Sequence, residues 1–403
     1  MEQGKKILVI NCGSSSLKYE VYEMPGSRSL GRGLVERIGE PSGVVSQESV
    51  NGTLREEYPV GDHTEAMEAL RKSLTHSANG IIDSIDEIAA VGHRVVHGGE
   101  EYSQSVLIDE DVIRVIEDAS ELAPLHNPAH LMGIRAALNM LPDRPQTAVF
   151  DTAFHQTMPP SAYLYGLPRE LYRKYKIRRY GFHGTSHRFV AQEAVRMLKR
   201  SIDNTNVISC HLGNGASITA ISQGKSVETS MGFTPLSGLV MGTRCGDIDP
   251  AIILFLLERG YSAARINDIL NKESGLLGLS GISNDLRDLE AAAESGNKNA
   301  IEALDVYAHQ IRKYIGAYAA NIVRLDILVF TGGIGEHGTR MRERICHRLE
   351  NIGVVMDYRR NLENGAKQGI ISQPYSPTSI VVVPTNEELQ IAKDTYQISF
   401  QEK

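Results

Sequence analysis

An α/β fold in two domains, with one plan used twice, is predicted by three observations. Two apolar strands each run into a small-residue turn and then a second strand: Ile7-Leu8-Val9-Ile10-Asn11-Cys12-Gly13-Ser14-Ser15-Ser16-Leu17-Lys18 and Val207-Ile208-Ser209-Cys210-His211-Leu212-Gly213-Asn214-Gly215-Ala216-Ser217. Strand and helix signals alternate on both sides of residue 151. The length, 403 residues, exceeds what one hydrophobic core usually organises. The two turns are rich in Gly, Ser and Asn because a phosphate must come close to backbone N–H groups, which a bulky side chain would prevent. Neither has the GxxxxGK[ST] spacing, so a simple P-loop enzyme is excluded. The pattern is that of a chain gripping a polyphosphate from two sides.

Taken in order, strands are expected at 6–10 and 17–24 around the first turn, then at 33–38, 44–46 and 53–58, punctuated by Gly, Pro and Asn. Helical spacing covers 63–77. An apolar strand, 88–91, empties into the Gly-rich segment 92–99. Helices follow at 109–119 and 128–139, the second with Asn127 as N-cap and Pro128 in its first turn. A strand at 146–150 delivers Asp151, and 152–160 reads as irregular. The second half repeats the plan with the turn at 207–217, a hairpin through 217–221 and 225–230, helices at 250–258 and 297–325, and a buried strand at 327–330. The tail gives a strand at 380–383 and a helix to about 396 that could rejoin the first domain. The expected division is 1–151 plus 385–403 against 152–384.

Composition narrows the classes. A hydrophobic fraction of 41% and a charged fraction of 23% are ordinary for a globular enzyme. The longest apolar run, 251–257, is too short to span a membrane, and four apolar residues after Lys5-Lys6 are too few for a secretory signal. A cytoplasmic location is expected. The net charge of −7 argues against a nucleic-acid surface. Cys12, Cys210, Cys245 and Cys346 lie far apart without a CxxC pair, so they are read as reduced thiols.

The motifs ILVINCGSSSLK (7–18), VGHRVVHGGE (91–100), APLHNPAH (123–130), VFDTAFHQTMP (149–159), YGFHGTSHRFV (180–190), HLGNGAS (211–217), GFTPLSGLVMGTRCGDIDP (232–250), GLSGISNDLRDL (278–289), FTGGIGEHG (330–338) and PTNEEL (384–389) stand in this order over almost the whole chain. Together they resemble the acetate, propionate and butyrate kinase family, within the superfamily of sugar kinases, heat-shock ATPases and actin. The resemblance implies duplicated ribonuclease H-like (actin-like ATPase) domains with a cleft between them, a homodimer, and reversible Mg2+-dependent transfer of phosphate from ATP to acetate, with Mn2+ as a substitute ion. Two alternatives are a propionate or butyrate kinase and, more remotely, a non-catalytic nucleotide-switch ATPase.

The residues make chemical sense in those roles. A carboxylate acceptor is already ionised and needs no base, so the task is to align two anions and absorb charge on the transferring group. Arg94 and Arg244, each read in a Gly-rich turn after an apolar stretch, are placed to donate bidentately to oxyanions. By resemblance Arg94 positions acetate, Arg244 and His183 stabilise the transferring group, and Asp151 belongs to the catalytic set. Val96, Leu125, Phe182 and Pro235 match the positions around the acetate methyl. ATP contacts fall on Lys18, on His211, Leu212, Gly213, Asn214 and Gly215, on Asp285, Leu286 and Arg287, and on Gly333, Ile334, Gly335, Glu336 and His337. Family members often carry Asn where this chain has His337. Asn11 and Glu387 are the metal candidates, with Asp151 matching as well, either through the metal's water shell or by orienting a polar neighbour. Ser14 and Ser16 extend the first turn, and His126 is either a site histidine or a helix cap.

Overall fold

The computed structural model describes residues 4–124 and 126–401. Its strands are β1 (Lys5–Cys12), β2 (Ser16–Met24), β3 (Arg28–Glu36), β4 (Gly43–Ser49), β5 (Gly52–Tyr58), β6 (Ile88–Val95), β7 (Val106–Leu107), β8 (Gln146–Phe150), β9 (Asn206–Leu212), β10 (Ala216–Ser222), β11 (Lys225–Thr229), β12 (Ile327–Thr331), β13 (Gly369–Ile370) and β14 (Ser379–Val382). The chain divides into two compact units, Met1–Gln156 with Asn386–Lys403, and Thr157–Thr385.

The sheet of the first unit runs β5-β4-β3-β2-β1-β6-β8-β7, and that of the second β11-β10-β9-β12-β14-β13. Within both lies the same five-strand order. Three strands form an antiparallel meander, and the first of them is joined on its other side by two parallel strands: β3-β2-β1-β6-β8 in one unit and β11-β10-β9-β12-β14 in the other. The duplication is therefore structural, well beyond the turns that reveal it in the sequence.

β1 explains how the first core is built. Its four central residues Ile7, Leu8, Val9 and Ile10 are all buried, which marks a strand covered on both faces. Leu8, Ile10 and Cys12 pack with Ala66, Leu70 and Ala137 from the helices His63–Leu74 and Asn127–Met140. Ile7 and Val9, pointing the other way, pack with Ile391 and Ala392 of the C-terminal helix Glu387–Phe400. Each such fully buried aliphatic side chain is worth about 1.5–3 kcal/mol. That helix follows β14 in sequence yet lies on β1, β6 and β8. Gly92 allows it: a Cβ there would stand 2.4 Å from Thr395 Oγ1 and 2.7 Å from Ile391 Cγ2. The helix Gly184–Met197, entering between β8 and β9, lies on β9 and β12 of the second unit.

Several expectations need correction. The strand expected to stop at 91 continues to Val95, because Gly92 to Val95 pair with Thr147 to Phe150 of β8. Arg94 thus stands on a strand, not in a turn. Asn127 is not an N-cap: His126 holds that position without a side-chain capping bond, and Asn127 instead bridges to the backbone N–H and C=O of His97. Residues 152–160 include a 3-10 segment, Ala153–Thr157, and the start of a short helix, Pro160–Tyr163. The helix expected over 297–325 is Lys298–Ala319. Gly332, Gly333 and Gly335 lie in a short helix, Gly332–His337, and a second helix, Thr339–Cys346, follows it. Among the described residues no helix is long and apolar enough to cross a membrane. All four cysteines are free, and three are buried.

Candidate active site

In the first unit the chemistry collects at the C-terminal ends of the parallel strands. β6 carries Arg94, and Asp151 follows β8, tied to it by the bond from Asp151 N–H to the Val95 carbonyl at 2.9 Å. Neighbouring strands in register bring the two side chains together: Arg94 donates from Nε to Asp151 Oδ1 at 3.2 Å and from Nη2 to Oδ2 at 2.7 Å. Glu387, the first residue of the C-terminal helix, places Oε2 3.7 Å from Arg94 Nε. Two carboxylates share one guanidinium. Asp151 above all, with Glu387 adding, raises the Arg94 pKa. Burial and the Asp151 charge push the Glu387 carboxyl up to about 7 in spite of Arg94. Asn11 stands near the end of β1, paired with Lys18 of β2, and Lys18 contributes a lowering influence on Glu387. The turn between them is closed by Gly13 N–H to the Ser16 carbonyl at 2.7 Å. Ser14 is exposed on it.

Two histidines near Arg94 were not singled out from sequence. Burial and Arg94 lower His130 to about 3, and its Nδ1 accepts from the Val96 N–H at 3.3 Å. His93 is lowered to about 4 by burial and bonds Gln146 at 2.8 Å. Both are neutral rings at physiological pH, fixing structure around the arginine.

The second unit meets its turn with different groups. β9 ends in His211-Leu212, the turn Gly213-Asn214-Gly215 is closed by Gly213 N–H to the Gly215 carbonyl at 3.0 Å, and β10 begins at Ala216. His183 precedes the Gly184–Met197 helix in a left-handed conformation, φ 57°. Its ring stacks on His211 with centroids 4.3 Å apart, and its Nδ1 lies 2.9 Å from Ser217 Oγ. A Cβ placed on Gly215 would lie 3.6 Å from His183 Nε2 and 3.7 Å from Arg244 Nη1, so all three groups border one space. Asn214 is exposed at the tip, its carbonyl held by the Gly242 N–H and its Oδ1 by Asn284. Arg244 Nη1 reaches the Pro235 carbonyl at 3.3 Å and Met241 Sδ at 3.8 Å. Among the described residues it forms no ion pair, and burial alone lowers its pKa. A half-buried guanidinium with neutral neighbours is an anion site in waiting.

The sequence as a whole matches the model of the Acetokinase family over residues 6–393. The chain belongs to that family. It is 52% identical to an acetate kinase of Desulfitobacterium hafniense over 98% of this chain and 99% of the relative, and 53% identical to one of Alkaliphilus metalliredigens over 97% and 99%. Among solved structures it is similar to Porphyromonas gingivalis acetate kinase, with TM-score 0.95 and 47% identity over 98% of this chain and 99% of the other. A Francisella tularensis propionate kinase gives TM-score 0.91 and 43% identity over 98% and 100%. The α/β fold is thus that of acetokinases.

The other acetokinase motif residues fall into distinct groups. Leu212 and Leu286 are buried in the core, leaving only their backbone for a ligand. Asp285 caps the helix Leu286–Glu294 and is paired by Arg287 Nε and Nη2, which lowers it to about 2. Gly333, Ile334 and His337 are exposed or half-buried on the short helix, whereas Gly335 packs against Phe330 and Cys210. Glu336 turns inward: its Oε1 accepts from the N–H groups of Gly332 at 2.9 Å and Thr385 at 3.1 Å, a structural clamp. Val96 and Phe182 are buried and Pro235 is half-buried; Leu125 lies outside the described residues. Sequence reasoning missed His187 and the serines around it. Their signal was the spacing of His183 and His187, four apart on one helix face.

Proposed function

We propose that this chain transfers the terminal phosphoryl group of ATP to acetate, giving acetyl phosphate and ADP, and runs the exchange in both directions. Family membership over nearly the whole chain carries this reading, and it removes the nucleotide-switch alternative. Arg244 supports it: a guanidinium with no carboxylate partner among the described residues, beside the Gly215 turn, is what a transferring phosphoryl group with charge on three oxygens requires. His183 and Asn214 border the same turn and donate hydrogen bonds to the nucleotide's phosphates. In the first unit Arg94, held flat by Asp151, offers its remaining N–H groups to the carboxylate of acetate. By family resemblance Val96 of the first unit, and Phe182 and Pro235 of the second, are the apolar residues assigned to the methyl group, and one further methylene on the substrate is worth only about 1–3 kcal/mol against such residues.

Mg2+, with Mn2+ as a substitute, fits the first unit. The Asn11 amide oxygen and Glu387 carboxylate are hard oxygen donors, and burial, with the Asp151 charge adding, raises the Glu387 pKa, so a cation beside it would favour the ionised form. No cluster of three His, Cys, Asp or Glu side chains suited to a metal exists among the described residues, so Asn11 and Glu387 would hold the ion only in part. When bound it supplies charge neutralisation on the nucleotide. The protein works as a homodimer in the cytoplasm. The helix Ala251–Glu258 supports the dimer, with Ile252, Leu254, Phe255 and Leu257 all exposed; four free thiols suit a reducing compartment.

Hydroxylamine trapping of an acyl phosphate in the presence of ATP, Mg2+ and acetate tests the reaction. Hydroxamate formation that depends on acetate is expected; ATP hydrolysis indifferent to acetate would sink the proposal. Ranking kcat/KM for acetate, propionate and butyrate tests the methyl pocket, with acetate expected first.

A further inference from the structure

His183 presents a hydrogen from Nε2 only when its proton sits there, and a neutral imidazole has two choices. Four side chains of the second unit form one line of hydrogen bonds that bears on the choice. Ser209 Oγ is 2.6 Å from His187 Nδ1, His187 Nε2 is 2.7 Å from Ser217 Oγ, and Ser217 Oγ is 2.9 Å from His183 Nδ1. Ser209, His187 and Ser217 are each 0% exposed, so His187 is cheapest as the neutral ring. Heavy-atom positions do not reveal where the protons lie. Proton counting does. A neutral imidazole has one N–H, so a direction set at Ser209 fixes the His187 proton, and the single hydrogen of buried Ser217, whose hydroxyl partners among the described residues are the two rings, must then go to the ring nitrogen left to accept it.

Ser209 decides the direction. It lies on β9 opposite Thr219 of β10 and Val329 of β12. Among the described residues its hydroxyl has His187 Nδ1 as hydrogen-bond partner and no other. Were Ser209 the acceptor, its own hydrogen would be buried without a partner, a loss that disfavours that arrangement by roughly tenfold or more. With Ser209 donating, His187 carries its proton on Nε2 and donates to Ser217. Ser217 then donates to His183 Nδ1, and the His183 proton is left on Nε2, facing Gly215 and Arg244.

We infer that Ser209 is a positioning residue: a buried hydroxyl three hydrogen bonds from His183 that fixes the tautomer in which Nε2–H faces the Gly213–Gly215 turn. The catalytic consequence rests on the role proposed above for His183; the tautomer itself does not.

The test is 15N-detected NMR of the histidine rings in the full-length protein. In the wild type both His183 and His187 are expected with protonated Nε2 and bare Nδ1. A His183 proton found on Nδ1 overturns the inference without any variant. Ser209→Ala removes the bias, so the two His183 tautomers should approach equal populations, with kcat falling about twofold at unchanged acetate KM, as loss of half the competent rings requires. Ser209→Thr keeps the hydroxyl and should restore the wild-type ratio. An unchanged tautomer ratio in Ser209→Ala also overturns the inference. If the ratio shifts while kcat stays constant, the relay stands and the catalytic role of His183 falls.

Discussion

The turns after β1 and β9 hold the same place in one repeated strand order, yet the groups at the strand ends beside them are opposite in kind. Around the first stand Asp151 and Glu387, with Arg94 locked between them. Around the second stand His183, His211 and an arginine that no carboxylate among the described residues neutralises. A cation with its counter-charge built in keeps its geometry whether or not ligand is present. A cation without one is left to be completed by substrate. Duplication supplied two similar scaffolds, and under the proposed function the side chains at the strand ends give one the task of holding and the other the task of stabilising charge.

The two arginines should therefore fail differently. Arg244→Ala removes the uncompensated cation; kcat should fall about 10³-fold or more, the range for arginines acting on a transferring phosphoryl group, while urea denaturation finds stability close to wild type. Arg94→Ala leaves two carboxylates near each other without their cation. It should lower unfolding free energy by about 3–5 kcal/mol and raise acetate KM. Equal stability losses in the two variants would erase the contrast.

Much of the scaffold was legible because it rests on local signals. The four-residue apolar run of β1 and the turn residues after it specify a buried strand and hairpin directly. Arg94 was misplaced because Gly92 reads as a turn residue, whereas its actual work is to admit the C-terminal helix against β6. No local signal could report a helix more than 290 residues away. Glu336 is legible in the sequence only through its motif; that its Oε1 satisfies two backbone N–H groups shows only in three dimensions. The candidate site was legible as a list of residue types with the right chemistry. What escaped was pairing: that Asp151 occupies Arg94, and that His187 connects Ser209 to Ser217.

The charge-rich first unit also predicts a pH dependence. The Glu387 carboxyl, at about 7 against an ordinary 4.5, is protonated more readily in the folded chain than in the unfolded one. Its contribution is therefore greatest below pH 4.5 and is lost as pH rises through 7. Glu387→Gln, neutral throughout, should flatten the stability profile between those values and gain up to about 2 kcal/mol above pH 7 in nucleotide-free protein. Denaturation midpoints measured across pH 5 to 8 at constant salt check this; a variant curve parallel to the wild type would place the raised carboxyl elsewhere.

The smallest expected effect on stability sharpens the comparison most. A Cβ on Gly13 would lie 3.0 Å from Ser16 Oγ, inside the hairpin itself, whereas on Gly215 the nearest atoms, in His183 and Arg244, are at 3.5 Å or more, ordinary van der Waals distances. Gly215 also has no positive φ to forbid a side chain. Gly215→Ala should therefore change folding stability by no more than about 0.5 kcal/mol. Its methyl would nevertheless stand in the space bordered by His183 Nε2 and Arg244 Nη1, where the proposed function brings a phosphoryl oxygen close, so ATP turnover should fall well before stability does. Gly13→Ala must push against its own turn, and its loss should register in the denaturation midpoint. If Gly215→Ala binds and turns over ATP as the wild type does, the second turn is a hairpin like the first and the division of labour between the units is lost.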